Sequence, residues 1–145
     1  MQYKKTSSTI YLRADKNEYI LQSVKTVCLK EKICGGYFHG IGACASAVLS
    51  VWQPDKKEFA QRRLKGTLEM VSLTGNISAD GSGNPFLHSH AVFSYLTESG
   101  EIKVTAGHLE KAEINYTAEI VITVSGETIN RKFNSDTGIE VWDLM

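Results

Sequence analysis

The 145-residue chain has two prolines, three cysteines, no excess of either charge and no long hydrophobic run. Cys28, Cys34 and Cys44 form no C-x-x-C pair and are odd in number, which argues against a disulfide framework and for a reducing cytoplasm. Cys28 falls on the apolar face of an expected helix and Cys44 in an apolar run, so both read as small buried hydrophobes. Sixteen basic residues balance sixteen acidic ones. A protein that coats nucleic acid electrostatically needs a net positive charge to displace counterions, and this chain has none. Its densest basic stretch, Lys56 to Lys65, reads as a solvated, edge-like strand whose lysines block unwanted pairing. The longest mostly apolar run, Ala43 to Trp52, is too short to cross a bilayer. The amino terminus leads into Thr9-Ile10-Tyr11-Leu12-Arg13, not into a signal-peptide core.

What is present suits one domain, residues 1–145, with a core of its own: 42% of residues are hydrophobic and 22% charged, with no composition break or repeat. Thr9 to Arg13 reads as a short strand. Asp15 and Glu18 form a D-x-x-E capping signal. Ile20, Leu21, Val24, Val27 and Cys28 then recur at helical spacing, which predicts an amphipathic helix to about Glu31, stopped near Gly35-Gly36. Beyond it the period falls to two. Ala45 to Trp52 reads as a strand covered on both faces. Extended segments are expected at Glu58–Lys65, Thr67–Ile77, Phe86–Tyr95, Ile102–His108 and Ile114–Val124, with a loop at Ala79–Pro85 and a hairpin turn at Glu98–Glu101. In the last segment Ile114, Tyr116, Ala118, Ile120, Ile122 and Val124 share one face. The fold class is α+β: a mainly antiparallel sheet with one early helix packed on it.

The chemistry concentrates in three histidines. His88 and His90 stand at i and i+2 of one strand and so point to the same face. His108 ends the row Ile102, Val104, Ala106 on the next strand, and folding about Glu98–Gly100 brings it to the first pair. Three neutral imidazoles with an open fourth position make a metal site, with zinc the first choice. The plainer alternative is hydrogen bonding in a polar core or at a subunit interface. Glu69 and Glu119 are the weak candidates for a catalytic carboxylate. Their plainer readings are solvent exposure or an ion pair with Arg131 or a lysine. His39, in a glycine-rich turn, is expected to be exposed and outside the set. Trp52 and Trp142 are expected to pack. The spacing of Gly40 and Gly42 is not that of a phosphate-binding loop.

Several ordered motifs give the chain a resemblance to the plants-and-prokaryotes-conserved (PPC) domain, from about Gly40 to Leu144. Gly40-Ile41-Gly42-Ala43 resembles its entry to a central strand. Gly66 to Ile77 resembles its G-x-F-E-I-L-S-L-S/T-G segment, with Leu68 for the usual Phe. Leu87-His88-Ser89-His90-Ala91 resembles its L-H-x-H-A/V motif, and Ala106-Gly107-His108-Leu109 its G-G-H-L, with Ala106 for the first glycine. Thr117 to Val121 and Asp136-Thr137-Gly138-Ile139 fall in the expected order. The resemblance implies a homotrimer. In plants such domains follow DNA-binding AT-hooks in nuclear transcriptional regulators, and the stand-alone prokaryotic proteins take a DNA-binding label from that association. This chain has no Arg-Gly-Arg-Pro core of the kind that enters an A·T minor groove, and a shared fold does not carry a function with it. The segment Gly66–Val71 matches one that contacts partner proteins in the plant family. The expectation is a cytoplasmic, homotrimeric, metal-binding protein with a DNA-associated or regulatory role. The alternative is a small zinc-dependent enzyme, a hydrolase or lyase, acting on a soluble metabolite.

Overall fold

The computed structural model describes residues 1–145. Strands β1 (Gln2–Thr6) and β2 (Thr9–Asp15) form a hairpin, helix α1 (Ile20–Glu31) follows, and four long strands carry the rest of the main sheet. These are β3 (Gly36–Gln53), β4 (Glu58–Ala79), β5 (Pro85–Leu96) and β6 (Ile102–Val124). A separate hairpin, β7 (Asn130–Asn134) and β8 (Ile139–Asp143), ends the chain. All pairings are antiparallel, in the order β1-β2-β6-β3-β4-β5, and β6 also pairs with β5. Together the β3–β4, β4–β5, β5–β6 and β3–β6 pairings close these four strands into a ring. Closure removes most free edges, which would otherwise template unwanted strand addition.

Alternation along each strand decides what fills the interior. Phe38 and Leu49 of β3, Leu68, Met70, Leu73 and Ile77 of β4, Phe93 of β5, and Ile114, Ile120 and Ile122 of β6 are buried. The helix closes this core with Ile20, Val24, Val27 and Cys28, the residues its 3.6 period puts on one side. Each large apolar side chain buried in this way contributes about 1.5–3 kcal/mol. Residues of opposite parity face solvent. Tyr11, Arg13, His39, Ile41, Val71 and Glu119 line a broad open groove of about 770 Å³ on that outer face.

The α+β architecture and the helix span agree with the sequence reading, but several details differ. The helix has Tyr19 as its N-cap, with no side-chain cap. Glu18 does reach back to the Asp15 backbone N–H (2.7 Å), yet the Asp15 carboxylate binds the Met1 ammonium (2.7 Å) and not the helix end. Lys32, in the left-handed region (φ 54°), ends the helix before Gly35. The expected segments at 58–65 and 67–77 are one 22-residue strand, and 102–108 and 114–124 are one 23-residue strand. The far end of β3 is not covered on both faces, since Val51 and Trp52 are 55% and 48% exposed. Trp142 is likewise exposed. Tyr116 leaves the buried row because Asn115, Tyr116 and Thr117 together oppose Ala43, a bulge that turns the ring outward. The basic stretch behaves as expected: Glu58 to Lys65 pairs with β3 alone, and Arg62, Arg63 and Lys65 are exposed.

Candidate metal centre

On β5 the inward parity is taken by Ser89, Ala91 and Phe93, which are buried. Phe86, His88, His90 and Val92 have the outward parity. His90 lies directly opposite His108 in the β5–β6 ladder, so the two rings start from neighbouring strand positions, 4.2 Å apart between centroids. His88, one pleat further along, stacks on His108 at 5.0 Å, with Nε2 3.2 Å from its Nδ1. One donor nitrogen from each ring lies within 4.8 Å of the others. Tetrahedral zinc with bonds near 2.0–2.1 Å places its ligand nitrogens about 3.3 Å apart. The histidine pair at 3.2 Å already has that spacing, and a His90 nitrogen lies within 4.8 Å of both. These residues fit a divalent metal.

Electrostatics agree with a ligand role. Burial pushes the His88 pKa below its ordinary value, and the charges of His108, His90 and Arg131 push it further. His90 is lowered by burial and then by His108. Both rings are therefore held in the neutral, ligating form at pH 7. No carboxylate is among the groups acting on either ring. Phe59 meets His108 edge-on at 5.3 Å, and Trp52 meets Phe59 at 5.1 Å, which gives the site an aromatic wall from the β3–β4 hairpin.

Glu69 and Glu119 do not join the cluster. Both are exposed on the rim of a second, smaller groove shared with Ile41 and Val71, and neither makes an ion pair. The solvent-facing alternative holds for them, and the other alternative, an ion pair with Arg131 or a lysine, does not occur. His39 is exposed, as expected, but it belongs to β3 and not to a turn. It lies opposite Thr74, which in turn lies opposite His90.

Three residues near the site, Ser50, Glu110 and Arg131, were not tied to the histidines by the sequence reading. Ser50 is the cross-strand partner of His108, and its hydroxyl donates to Glu110 Oε1 at 2.5 Å. Glu110 stands two residues after His108, so the period-2 rule had offered that signal. Arg131, from β7, sits with its guanidinium 4.6 Å from the Phe86 ring centre. Nothing local in the sequence ties it to the histidines.

With the fold and the triad in place, comparison settles the family. A family model described as the Plants and Prokaryotes Conserved (PCC) domain matches residues 1–125. The chain belongs to that family. The match begins at residue 1, not at Gly40, and stops before Asp136-Thr137-Gly138-Ile139, so the terminal hairpin lies outside it. Among solved structures, a plant- and prokaryote-conserved (PPC) protein of Pyrococcus horikoshii is 32% identical, with 99% of this chain and 96% of that one covered and a TM-score of 0.79. A metal-containing protein of Archaeoglobus fulgidus is 30% identical over 99% of both chains, with a TM-score of 0.80. A protein of Bacteroides thetaiotaomicron, named a putative DNA-binding protein, is 27% identical over 98% and 96%, with a TM-score of 0.87. No curated protein matches the PCC chain. No helix in it is long and apolar enough to cross a membrane.

Proposed function

We propose that this PCC-domain protein is a cytoplasmic homotrimer that binds a divalent metal, zinc by preference, through His88, His90 and His108, and has a DNA-associated or regulatory role. The observation that carries the metal reading is the convergence of three imidazole nitrogens within 4.8 Å on one outward face. The metal-containing relative from Archaeoglobus supports it. Exposed apolar side chains support assembly. Tyr11, Ile41 and Val71 lie on the open sheet face, and Val51, Trp52, Ile102 and Val104 at the hairpin ends. Surfaces of this kind mark interaction sites on soluble proteins. In the segment Gly66–Val71 it is Thr67, Glu69 and Val71 that are offered to a partner, since Leu68 and Met70 are buried. The DNA component rests on the Bacteroides relative and on the exposed Arg62, Arg63 and Lys65.

A second reading, a small zinc-dependent enzyme, is favoured by one feature. The cluster offers three side-chain ligands and no fourth, which is the pattern of catalytic rather than structural zinc. When bound, the ion would supply Lewis acidity toward an oxygen ligand in its open position.

Elemental analysis of protein purified without a metal-affinity tag tests the core claim. About one metal ion per chain is expected, lost in a His88→Ala/His90→Ala variant. Equal metal in both proteins, or none in either, rejects it. Gel-shift titration of duplex DNA should show binding that weakens steeply with salt. Absence of binding at physiological ionic strength removes the DNA component and leaves the metal claim standing.

A further inference from the structure

We propose that Arg131 and the histidine triad together form a binding site for a small oxyanion, a carboxylate or a phosphate group. The inference rests on the metal reading above and deepens it by naming the ligand class. It begins from the position of Arg131. The residue belongs to the terminal hairpin, outside the matched family region, yet its guanidinium lies 4.6 Å over Phe86. Phe86 and His88 alternate on the same strand face, two residues and so roughly 6.6 Å apart along the chain. On the neighbouring strand Ser78, which accepts from Arg131, lies opposite Phe86, and Asn76, two residues before it, lies opposite His88, so the guanidinium sits one pleat from the triad.

Arg131 has no anionic partner within the chain. It takes part in none of the ion pairs. Its polar contacts are the Ser78 hydroxyl at 3.4 Å and the Glu140 carbonyl oxygen, and its Nε is buried with no acceptor. A guanidinium has five N–H groups, so most of its donor capacity is unused. The nearest carboxylate along the chain from the triad, Glu110, already accepts the Ser50 hydroxyl.

The charges then decide what fits. Three neutral imidazoles leave a divalent ion with its full double charge, and the guanidinium adds a third positive charge beside it. No side chain supplies a negative charge between them. An oxyanion does, with one oxygen in the open coordination position and another on the planar donor fork of Arg131. Guanidinium matches carboxylate and phosphate in this way, whereas an ammonium acts as a point charge.

The test uses the full chain loaded with cobalt(II), whose visible absorption reports its ligands. Inorganic phosphate and acetate are titrated separately. The expected result is a saturable spectral change with at least one of them, and the one that responds assigns the group. In Arg131→Gln the half-saturating concentration should rise by about tenfold or more, with cobalt affinity kept within about threefold. Arg131→Lys should fall between the two, and it also guards against a glutamine variant whose hairpin has unfolded. Phosphate and acetate titrations unchanged in both variants would overturn the proposal, as would a wild-type spectrum that neither anion alters. Failure of the wild-type chain to take up cobalt at all would overturn the metal reading, and this proposal with it.

Discussion

A Cβ at position 107 would lie 2.7 Å from the Ser50 carbonyl oxygen, whereas Ala106 beside it is exposed. The G-G-H-L motif therefore tolerates alanine at its first glycine and not at its second, where β6 must approach β3 to place His108. At this scale the sequence was informative for the triad, because period two puts His88 and His90 on one face and a short turn returns His108. It was silent on Arg131, since that contact joins residues 45 positions apart through no repeating pattern. The titration of the ligands gives a prediction for the metal-free protein. His88 and His90 have lowered pKa values when folded, by burial first and by neighbouring positive charge second. The unfolded chain then binds more protons than the folded one below the unfolded histidine pKa of about 6.5. Their contribution is fully present above that pH and is lost as pH falls through the lowered folded values. Urea unfolding of metal-free protein at pH of about 7.5 and about 5.5 should show the loss, and it should shrink in His88→Gln/His90→Gln. An equal loss in the variant would assign it to other groups.

Among the elements, β3 and β4 are joined by one contact that cannot be read from either alone. The Phe38 ring is fully buried against Gly75, where an added Cβ would come within 2.4 Å of it. Phe38→Ala should cost about 3–5 kcal/mol in chemical unfolding. Gly75→Ala should cost about 1–3 kcal/mol by overpacking. Because the first change empties the space that the second fills, the double variant should cost less than the sum by about 0.5–3 kcal/mol. Strict additivity would show that Gly75 is needed for something other than that ring. The sequence marked both as extended, but it read Ala45 to Trp52 as covered on both faces, and Val51 and Trp52 are exposed. It divided β4 at Gly66 and β6 near Glu110–Glu113, since glycine and charged runs are turn and surface signals, and here the long ladders with β3 override them.

For the whole molecule, assembly is the property with the least trace in a single chain, because a symmetric contact leaves no periodic pattern of its own. The mass of one chain is 16.0 kDa. Light scattering should therefore give about 48 kDa for the proposed trimer. A mass of one chain would refute it. Ring closure was equally hard to foresee, since it depends on which distant strands pair. The ring has a consequence in time as well as in shape. The triad is contained in the β5–β6 hairpin, with at most 20 residues between ligands, whereas the ring is sealed by pairs such as Gly36 with Val124. The entropy of closing a loop grows with its length, and hairpins form in about 1–10 microseconds. The hairpin with its imidazoles can therefore gather before the long-range ladders close, and a metal clasped there would act on the order of folding as well as on its end point.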